Sequence, residues 1–277
     1  MIITVDTGGT KTLVASFDNS GEPTNQIKFP TPQDPKEYIN VLRKTLEENF
    51  SNQENSSIVI AVPGTLDSQN SIIWCPNLQG WAGFNVVSAL NGVLGSIPIT
   101  IENDANLAGL YEAKILNPIP RQVLYVTIST GIGTGIITNG HINEGLRNSE
   151  GGRSLIEYDG KLQEWQNFSS GKSFYETYGK FVRDITDAET WDQIVERMCL
   201  GFLELIPSLQ PDVIVIGGSV GTYFDRYGDK LQKALAERLP KHIACPQFIG
   251  AKNSELAVIY GCYYYAVDRQ SDRQITA

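Results

Sequence analysis

An apolar run that ends in a glycine–threonine turn and resumes as a second apolar run occurs twice in this chain. The first copy is Ile2-Ile3-Thr4-Val5-Asp6-Thr7-Gly8-Gly9-Thr10-Lys11, followed by the alternating apolar residues Leu13, Ala15 and Phe17. The second is Val123–Ser129, then Thr130-Gly131-Ile132-Gly133-Thr134-Gly135, then Ile136-Ile137-Thr138 and an Asn139-Gly140 hairpin turn. Val5-Asp6-Thr7-Gly8 aligns on Ile128-Ser129-Thr130-Gly131, so the chain reads as two related halves, each opening with a β-hairpin. Such a turn can bring backbone N–H groups, a hydroxyl and the Lys11 ammonium to a polyphosphate, while Asp6 holds a hydrated cation. The glycines match neither common phosphate fingerprint: G-x-x-x-x-G-K-S/T is absent, and a strand rather than a helix follows the turn.

Between and after the hairpins, strands alternate with helices, which predicts an α/β architecture with mainly buried sheets. Asp34 as N-cap, Pro35 at the first position and Glu37 predict a helix start, with Tyr38, Leu42 and Leu46 on its packed face. Ser57–Val62 reads as a central strand running into Pro63-Gly64-Thr65. Ile97–Glu102 reads as a strand running into Asn103-Asp104 and a helix over Ala105–Lys114. Further helices are predicted over Lys172–Asp184, Ala188–Leu209, Tyr223–Leu239 and about Ser254–Asp268, the last carrying Leu256, Ile259, Tyr260 and Tyr263. Asp212–Ile216 is a buried strand ending in Gly217-Gly218-Ser219. Leu146–Gly171 is polar and without clear periodicity, the pattern of a binding loop or lid. Trp165 and Phe168 read as its packing anchors, and His141 and His242 as surface residues.

Three glycine turns thus sit at the carboxyl ends of strong strands, where open α/β sheets bind ligands. Asp104 follows a strand and opens a helix, which suits either a helix cap or a general base acting on a hydroxyl nucleophile. Phosphoryl transfer needs little more from a protein than positioning and charge neutralisation, so one carboxylate at a helix N-terminus is chemically sufficient as the base.

Composition narrows the partners. With 277 residues, 41% hydrophobic and 19% charged, the chain is expected to be a soluble globular protein. A formal charge of -9 argues against nucleic acid as partner. No apolar run has the roughly 18–20 residues of a membrane span, so no membrane partner is expected. The opening strand leaves no signal or transit peptide, and Cys75, Cys199, Cys245 and Cys262 form no C-x-x-C pair, so a cytoplasmic protein with unpaired thiols is expected.

Taken in order, these segments resemble the ROK-type, glucokinase-like sugar kinases of the actin-like/hexokinase ATPase superfamily. Asp6–Lys11 resembles their first phosphate motif. Pro63-Gly64-Thr65-Leu66-Asp67 with Cys75-Pro76-Asn77-Leu78 and Gly80-Trp81 resembles their sugar-side loop. Glu102-Asn103-Asp104-Ala105-Asn106 resembles the catalytic segment, Ser129–Gly135 the second phosphate motif and Ile216–Ser219 the adenosine turn. The resemblance implies two actin-like/ribonuclease H-like domains, with mixed sheets flanked by helices and an active-site cleft between them. Residues 1–114, joined by a returning helix at about 254–268, would form the first domain and residues 115–253 the second. It implies ATP and Mg²⁺ as cofactors, a hexose or amino-hexose substrate, and a homodimer. Asp104 would be the general base, and Asp6 would hold Mg²⁺ through water. Gly8, Gly9, Thr10, Lys11, Thr130, Gly131, Gly133 and Thr134 would bind phosphates, and Gly217, Gly218 and Ser219 the adenosine. Gly64, Asn77, Asn103, Asp104, Glu150, Arg153 and Gln166 would meet the sugar, with Glu164 an alternative to Gln166.

The departures from the family pattern carry information too. Zinc-containing members have a histidine and a Cys-x-Cys-Gly…Gly-Cys cluster after the second phosphate motif. Residues 150–171 contain no cysteine, so a zinc site with sulfur ligands cannot form there. Arg153 stands where the sugar-contacting histidine would be. Its permanent charge and donors suit a carboxylate or phosphate and point to a non-glucose or modified sugar; as a solvated loop charge it would contribute nothing. The family also contains repressors, so a non-catalytic sugar-binding regulator is the rival from another class. This acidic chain, opening at the first phosphate strand, is the less suited to that role. A related ATPase or a kinase for a non-sugar alcohol is a third option.

Overall fold

Each of the two hairpins begins a five-stranded mixed sheet, and the two sheets share one strand order. The structure, a computed structural model, describes residues 1–253 and 255–276, with side chains described through residue 271. It divides into two units: Met1–Tyr111 with the chain from Leu256 onward, and Glu112–Glu255.

The first unit contains β1 (Ile2–Thr7), β2 (Lys11–Phe17), β3 (Pro23–Pro30), α1 (Pro35–Phe50), β4 (Ser57–Val62), β5 (Thr65–Leu66), β6 (Ile72–Trp74), α2 (Val86–Ala89) and β7 (Ile99–Asn103), after which α3 (Asp104–Lys114) begins. Its sheet order is β3-β2-β1-β4-β7, antiparallel from β3 to β1 and parallel from β1 through β4 to β7. The Asp34 carboxylate accepts from Glu37 N at 2.9 Å, capping α1 as its sequence predicts, and Tyr38, Leu42 and Leu46 are buried. Those three join Ile58, Ile60 and Val62 in one core. Every residue of β4 is buried, because the terminal helix α9 (Ala257–Thr276) packs on β1 and β4 as well. Ser254, the predicted start of that helix, lies outside the described residues. Gly261 of α9 meets the backbone of Leu107 in α3, where a Cβ would collide with the Leu107 carbonyl. Phe17, Tyr111, Tyr260 and Tyr263 pack around this crossing, with ring centroids 5.1–5.3 Å apart.

The second unit contains β8 (Gln122–Ile128), β9 (Ile132–Thr138), β10 (His141–Ile142), β11 (Leu155–Tyr158), β12 (Lys161–Glu164), α4 (Gln166–Ser169), α5 (Gly171–Tyr178), α6 (Ala188–Leu209), β13 (Val213–Gly217), α7 (Gly218–Gly221), α8 (Gly228–Arg238) and β14 (Gln247–Gly250). Its sheet, β10-β9-β8-β13-β14, repeats the antiparallel-then-parallel pattern of the first. Both units are therefore α/β, as the alternation of strands and helices predicts, with mixed sheets flanked by helices, as the family resemblance implies.

Three sequence expectations need correction. Leu146–Gly171 is not irregular: a 3₁₀ turn at Gly151–Arg153 is followed by the β11–β12 hairpin. Asp159 and Gly160 make its turn, both at positive φ (51° and 70°), the I′ geometry that an Asp-Gly pair signals. Nor is it built as a lid: Trp165 is fully buried over Gly201 of α6, and Tyr158 stacks on Phe168 at 4.3 Å. The Lys172–Asp184 helix stops at Tyr178, because Gly179 turns left-handed (φ 66°) and donates its N–H to Tyr175 O. The Tyr223–Leu239 helix starts only at Gly228, after a separate 3₁₀ turn at Phe224–Arg226. His141 and His242 are exposed, Cys75, Cys199 and Cys262 are buried, and Cys245 is partly so. No described helix is long and apolar enough to cross a membrane.

Substituting Gly261→Ala forces a methyl into the α9–α3 crossing. We expect it to lower unfolding stability by about 1–3 kcal/mol, read from the urea midpoint. An unchanged midpoint would show that the crossing is not tightly packed.

Candidate functional site

In the first unit the register of three parallel strands brings the predicted residues to one edge. Asp6 pairs with Ala61, Ala61 with Glu102, and Val62 with Asn103. Asp6, Gly64 and Asp104 thus lie at, or just beyond, the carboxyl ends of adjacent strands, where loops converge on ligands in such sheets.

The segment Glu102–Asn106 is held by Asn103. Its side-chain oxygen accepts from Ala105 N (2.8 Å) and Asn106 N (3.1 Å), and its amide donates to Gly64 O (2.8 Å). The capping role open to Asp104 therefore falls to Asn103, and Asp104 becomes the first residue of α3, where the helix N-terminus favours negative charge. The Asp104 carboxylate accepts from Ala105 N at 2.8 Å. Because the Asn103 oxygen is engaged by the helix, what this residue can offer a sugar is its remaining amide N–H. Gly64 sits at φ +109°, and a Cβ there would come within 2.1 Å of Trp74 O, so no side chain fits. Below them, the fully buried Glu102 accepts from Asn103 N (2.7 Å) and Asn106 Nδ2 (3.0 Å). Sequence reasoning assigned Glu102 no role, although a carboxylate inside an otherwise apolar strand was the signal.

The first glycine turn is braced from outside. Gly8 N donates to Lys11 O (3.0 Å), Thr31 Oγ1 to Gly8 O (2.8 Å), and Gln33 Nε2 to Gly9 O (3.1 Å). Trp81 Nε1 in turn donates to Gln33 O at 3.0 Å. A Cβ on Gly9 would come within 2.8 Å of Asn77 Cβ, so the loop carrying Asn77 lies against the first glycine turn. Thr10 and Lys11 are exposed at the turn. Burial pushes the Cys75 thiol up to about 11, with the Asp104 charge adding to it, which places that loop near Asp104 too.

Burial pushes the Asp6 carboxyl up to about 6. A carboxylate disfavoured as a bare anion gains most from a cation. Among the described residues no group of three or more His, Cys, Asp or Glu could hold a metal ion. Asp6 therefore fits Mg²⁺ bound by one carboxylate, water and phosphates, not an all-protein cage.

In the second unit Ser129 N donates to Gly131 O (2.8 Å) and Gly171 N to Ser129 O (2.7 Å). Gly217 ends β13, Gly218 and Ser219 open α7, and Ser219 Oγ lies 3.5 Å from Ser129 Oγ, so the second and third glycine turns adjoin. Thr130 is exposed at the turn and Gly133 is half-buried in β9. Thr134 is placed differently from a phosphate ligand. Its buried hydroxyl donates to Ser149 O (3.1 Å) and accepts from Gly151 N (3.0 Å), fastening the loop that carries Glu150.

Arg153, whose charge and donors are expected to suit a carboxylate or phosphate, already meets carboxylates of its own chain. Its Nη1 donates to both Glu164 oxygens at 2.9 Å, and its Nε lies 3.8 Å from Glu150 Oε2. Two carboxylates thus face one guanidinium. Burial raises the Glu150 carboxyl, Arg153 opposes the rise and Glu164 adds to it. Gln166 donates to Glu164 Oε2 (2.7 Å) and accepts from Ile132 N (3.3 Å). Both candidates for the second sugar-binding position, Glu164 and Gln166, therefore belong to one network.

Two units with this repeated strand order define an actin-like α/β protein. The chain belongs to the ROK family, whose sequence model matches residues 2–269. It is similar to the N-acetyl-D-glucosamine kinase of Haemophilus influenzae (strain 86-028NP), at 26% identity over 296 residues that cover 93% of this chain and 96% of that protein. It is also similar to the xylose repressor of Bacillus subtilis (strain 168), at 36% identity over 107 residues, 37% of this chain and 27% of the repressor. Among solved structures, the ROK hexokinase from Thermus thermophilus superposes with a TM-score of 0.79 at 24% identity, covering 96% of this chain and 99% of that one.

The raised Asp6 carboxyl yields a pH-dependent prediction. A group that binds its proton more tightly when folded contributes stability below its unfolded value, and that contribution disappears as pH rises through about 6. Asp6→Asn should therefore stabilise the ligand-free protein by about 1–3 kcal/mol at pH 8 and by nothing measurable at pH 4, in calorimetric unfolding. Equal effects at both pH values would contradict the assignment.

Proposed function

We propose that the protein is an ATP- and Mg²⁺-dependent kinase that phosphorylates a hydroxyl of a hexose or amino-hexose. The observation that carries this reading is the Asn103–Asp104 turn: Asn103 accepts from Ala105 N and Asn106 N as the cap of α3, and Asp104 stands as the first residue of that helix, just past the carboxyl end of β7. Membership of the ROK family and the similarity to a sugar kinase along nearly the whole chain support it.

In this reading Asp104 accepts the proton of the acceptor hydroxyl as that oxygen bonds to the γ-phosphorus. The bond from the γ-phosphorus to the β,γ-bridging oxygen breaks, leaving ADP, and Asp104 later returns its proton to solvent. Gly8, Gly9, Thr10 and Lys11 on one hairpin, and Thr130, Gly131 and Gly133 on the other, supply N–H, hydroxyl and ammonium donors to the phosphates. Gly217, Gly218 and Ser219 take the adenosine. Asp6 holds Mg²⁺ through water, and the ion, when bound, neutralises phosphate charge. Asn77, Asn103 and Glu150 orient the sugar, Gly64 shapes the loop, and Thr134 holds the Glu150 loop in place. With two carboxylates around Arg153, the acceptor is a neutral or amino sugar, not an acidic one. The family resemblance also leads us to expect a homodimer.

A panel of neutral, amino and acidic sugars with Mg²⁺–ATP tests the proposal. We expect turnover with at least one neutral or amino hexose. Asp104→Asn should lower kcat by at least about 10²-fold while nucleotide affinity holds. Tight sugar binding with no turnover would favour the regulator reading that the xylose-repressor similarity keeps in view. Full turnover by Asp104→Asn would remove Asp104 as base.

A further inference from the structure

A continuous series of polar contacts within the second unit joins the acceptor-side carboxylate to the second glycine turn. Glu150 Oε2 lies 3.8 Å from Arg153 Nε, and Arg153 Nη1 donates to both Glu164 oxygens at 2.9 Å. Gln166 Nε2 donates to Glu164 Oε2 at 2.7 Å, and Gln166 Oε1 accepts from Ile132 N at 3.3 Å, where β9 leaves the turn. An ordinary surface ion pair would contribute little and hold nothing in place. Several features set this one apart. The side chains of Glu150, Arg153 and Glu164 are only 28%, 30% and 31% exposed. One Glu164 oxygen receives both the guanidinium and the Gln166 amide, so moving either donor disturbs the other. Gln166 approaches the turn so closely that a Cβ on Gly131 would come within 2.8 Å of its Oε1. Thr134 independently ties Ser149 and Gly151, the neighbours of Glu150, to the same strand.

We propose that Arg153 is a positioning residue for the phosphate donor: it fixes Glu164, which fixes Gln166, which holds the Ile132 amide and the Thr130–Ile132 turn in place. The inference rests on the reading of that turn as a phosphate site. It gives a residue aligned with a sugar contact a different task, and it predicts that changes at position 153 are felt in nucleotide binding even when no sugar is present.

The test is calorimetric binding of Mg²⁺–AMPPNP to the full chain without sugar, for the wild type, Arg153→Met, Gln166→Leu and the double variant. Arg153→Met and Gln166→Leu should each raise Kd about tenfold, the effect of losing one charge-assisted or positioning hydrogen bond. The double variant should be no weaker than the weaker single one, because both cut the same series. A merely structural role would lower the unfolding temperature and leave Kd unchanged. Wild-type Kd in both single variants overturns the inference, and so does full additivity in the double variant. Failure of the wild type to bind Mg²⁺–AMPPNP overturns the phosphate reading itself, and this inference with it.

Discussion

The Asn103 side chain joins three pieces of backbone that the rest of the first unit depends on. Its oxygen takes the N–H groups of Ala105 and Asn106, and its amide reaches Gly64 O, so helix α3 and the loop after β4 are fixed to the end of β7 together. Each bond contributes only about 1 kcal/mol to stability. Their value lies in direction: they fix Asn103 as the helix cap and Asp104 as the first residue of α3. Glu102 strengthens the arrangement from the buried side by accepting from Asn103 N and Asn106 Nδ2. The parallel register of β1, β4 and β7 supplies the frame, because it brings Asp6, Gly64 and Asp104 to one edge of the sheet.

Charge placement around Asp6 and around Arg153 follows opposite rules. Asp6 stands where burial disfavours its ionised form, a cost that a bound cation would offset. Arg153 stands where two carboxylates already answer its charge. The first arrangement favours recruiting an external cation. The second favours internal order, since a guanidinium held by Glu164 has little left to attract an anionic ligand.

The parts of the fold legible in the sequence were those where local chemistry and burial agree. The α1 cap at Asp34, the all-buried β4 and the Asn139-Gly140 turn all follow from short-range rules. The duplicated hairpin was legible because a glycine turn between two apolar runs leaves few alternatives. The β11–β12 hairpin was missed because its exposed face carries Leu155 and Leu162 beside charged residues, which breaks the apolar–polar alternation; only Asp159-Gly160 marked it. At the site, residue types were legible and partners were not. Arg153 and Glu164 meet only because a hairpin brings residues eleven positions apart into contact. Thr134 reads as a turn hydroxyl until the fold lays Ser149 and Gly151 on it. Glu102 showed in the sequence only as a carboxylate within a strand; its partners, Asn103 N and Asn106 Nδ2, come from the fold.

The central claim is that Asp104 takes the proton from the acceptor hydroxyl. The most direct measurement is a crystal structure with Mg²⁺–AMPPNP and a sugar that the protein binds. The account predicts one sugar hydroxyl within about 2.6–3.2 Å of the Asp104 carboxylate, with the Asn103 cap intact. A sugar whose reacting hydroxyl meets another base, with Asp104 turned back onto the helix as its cap, would contradict it.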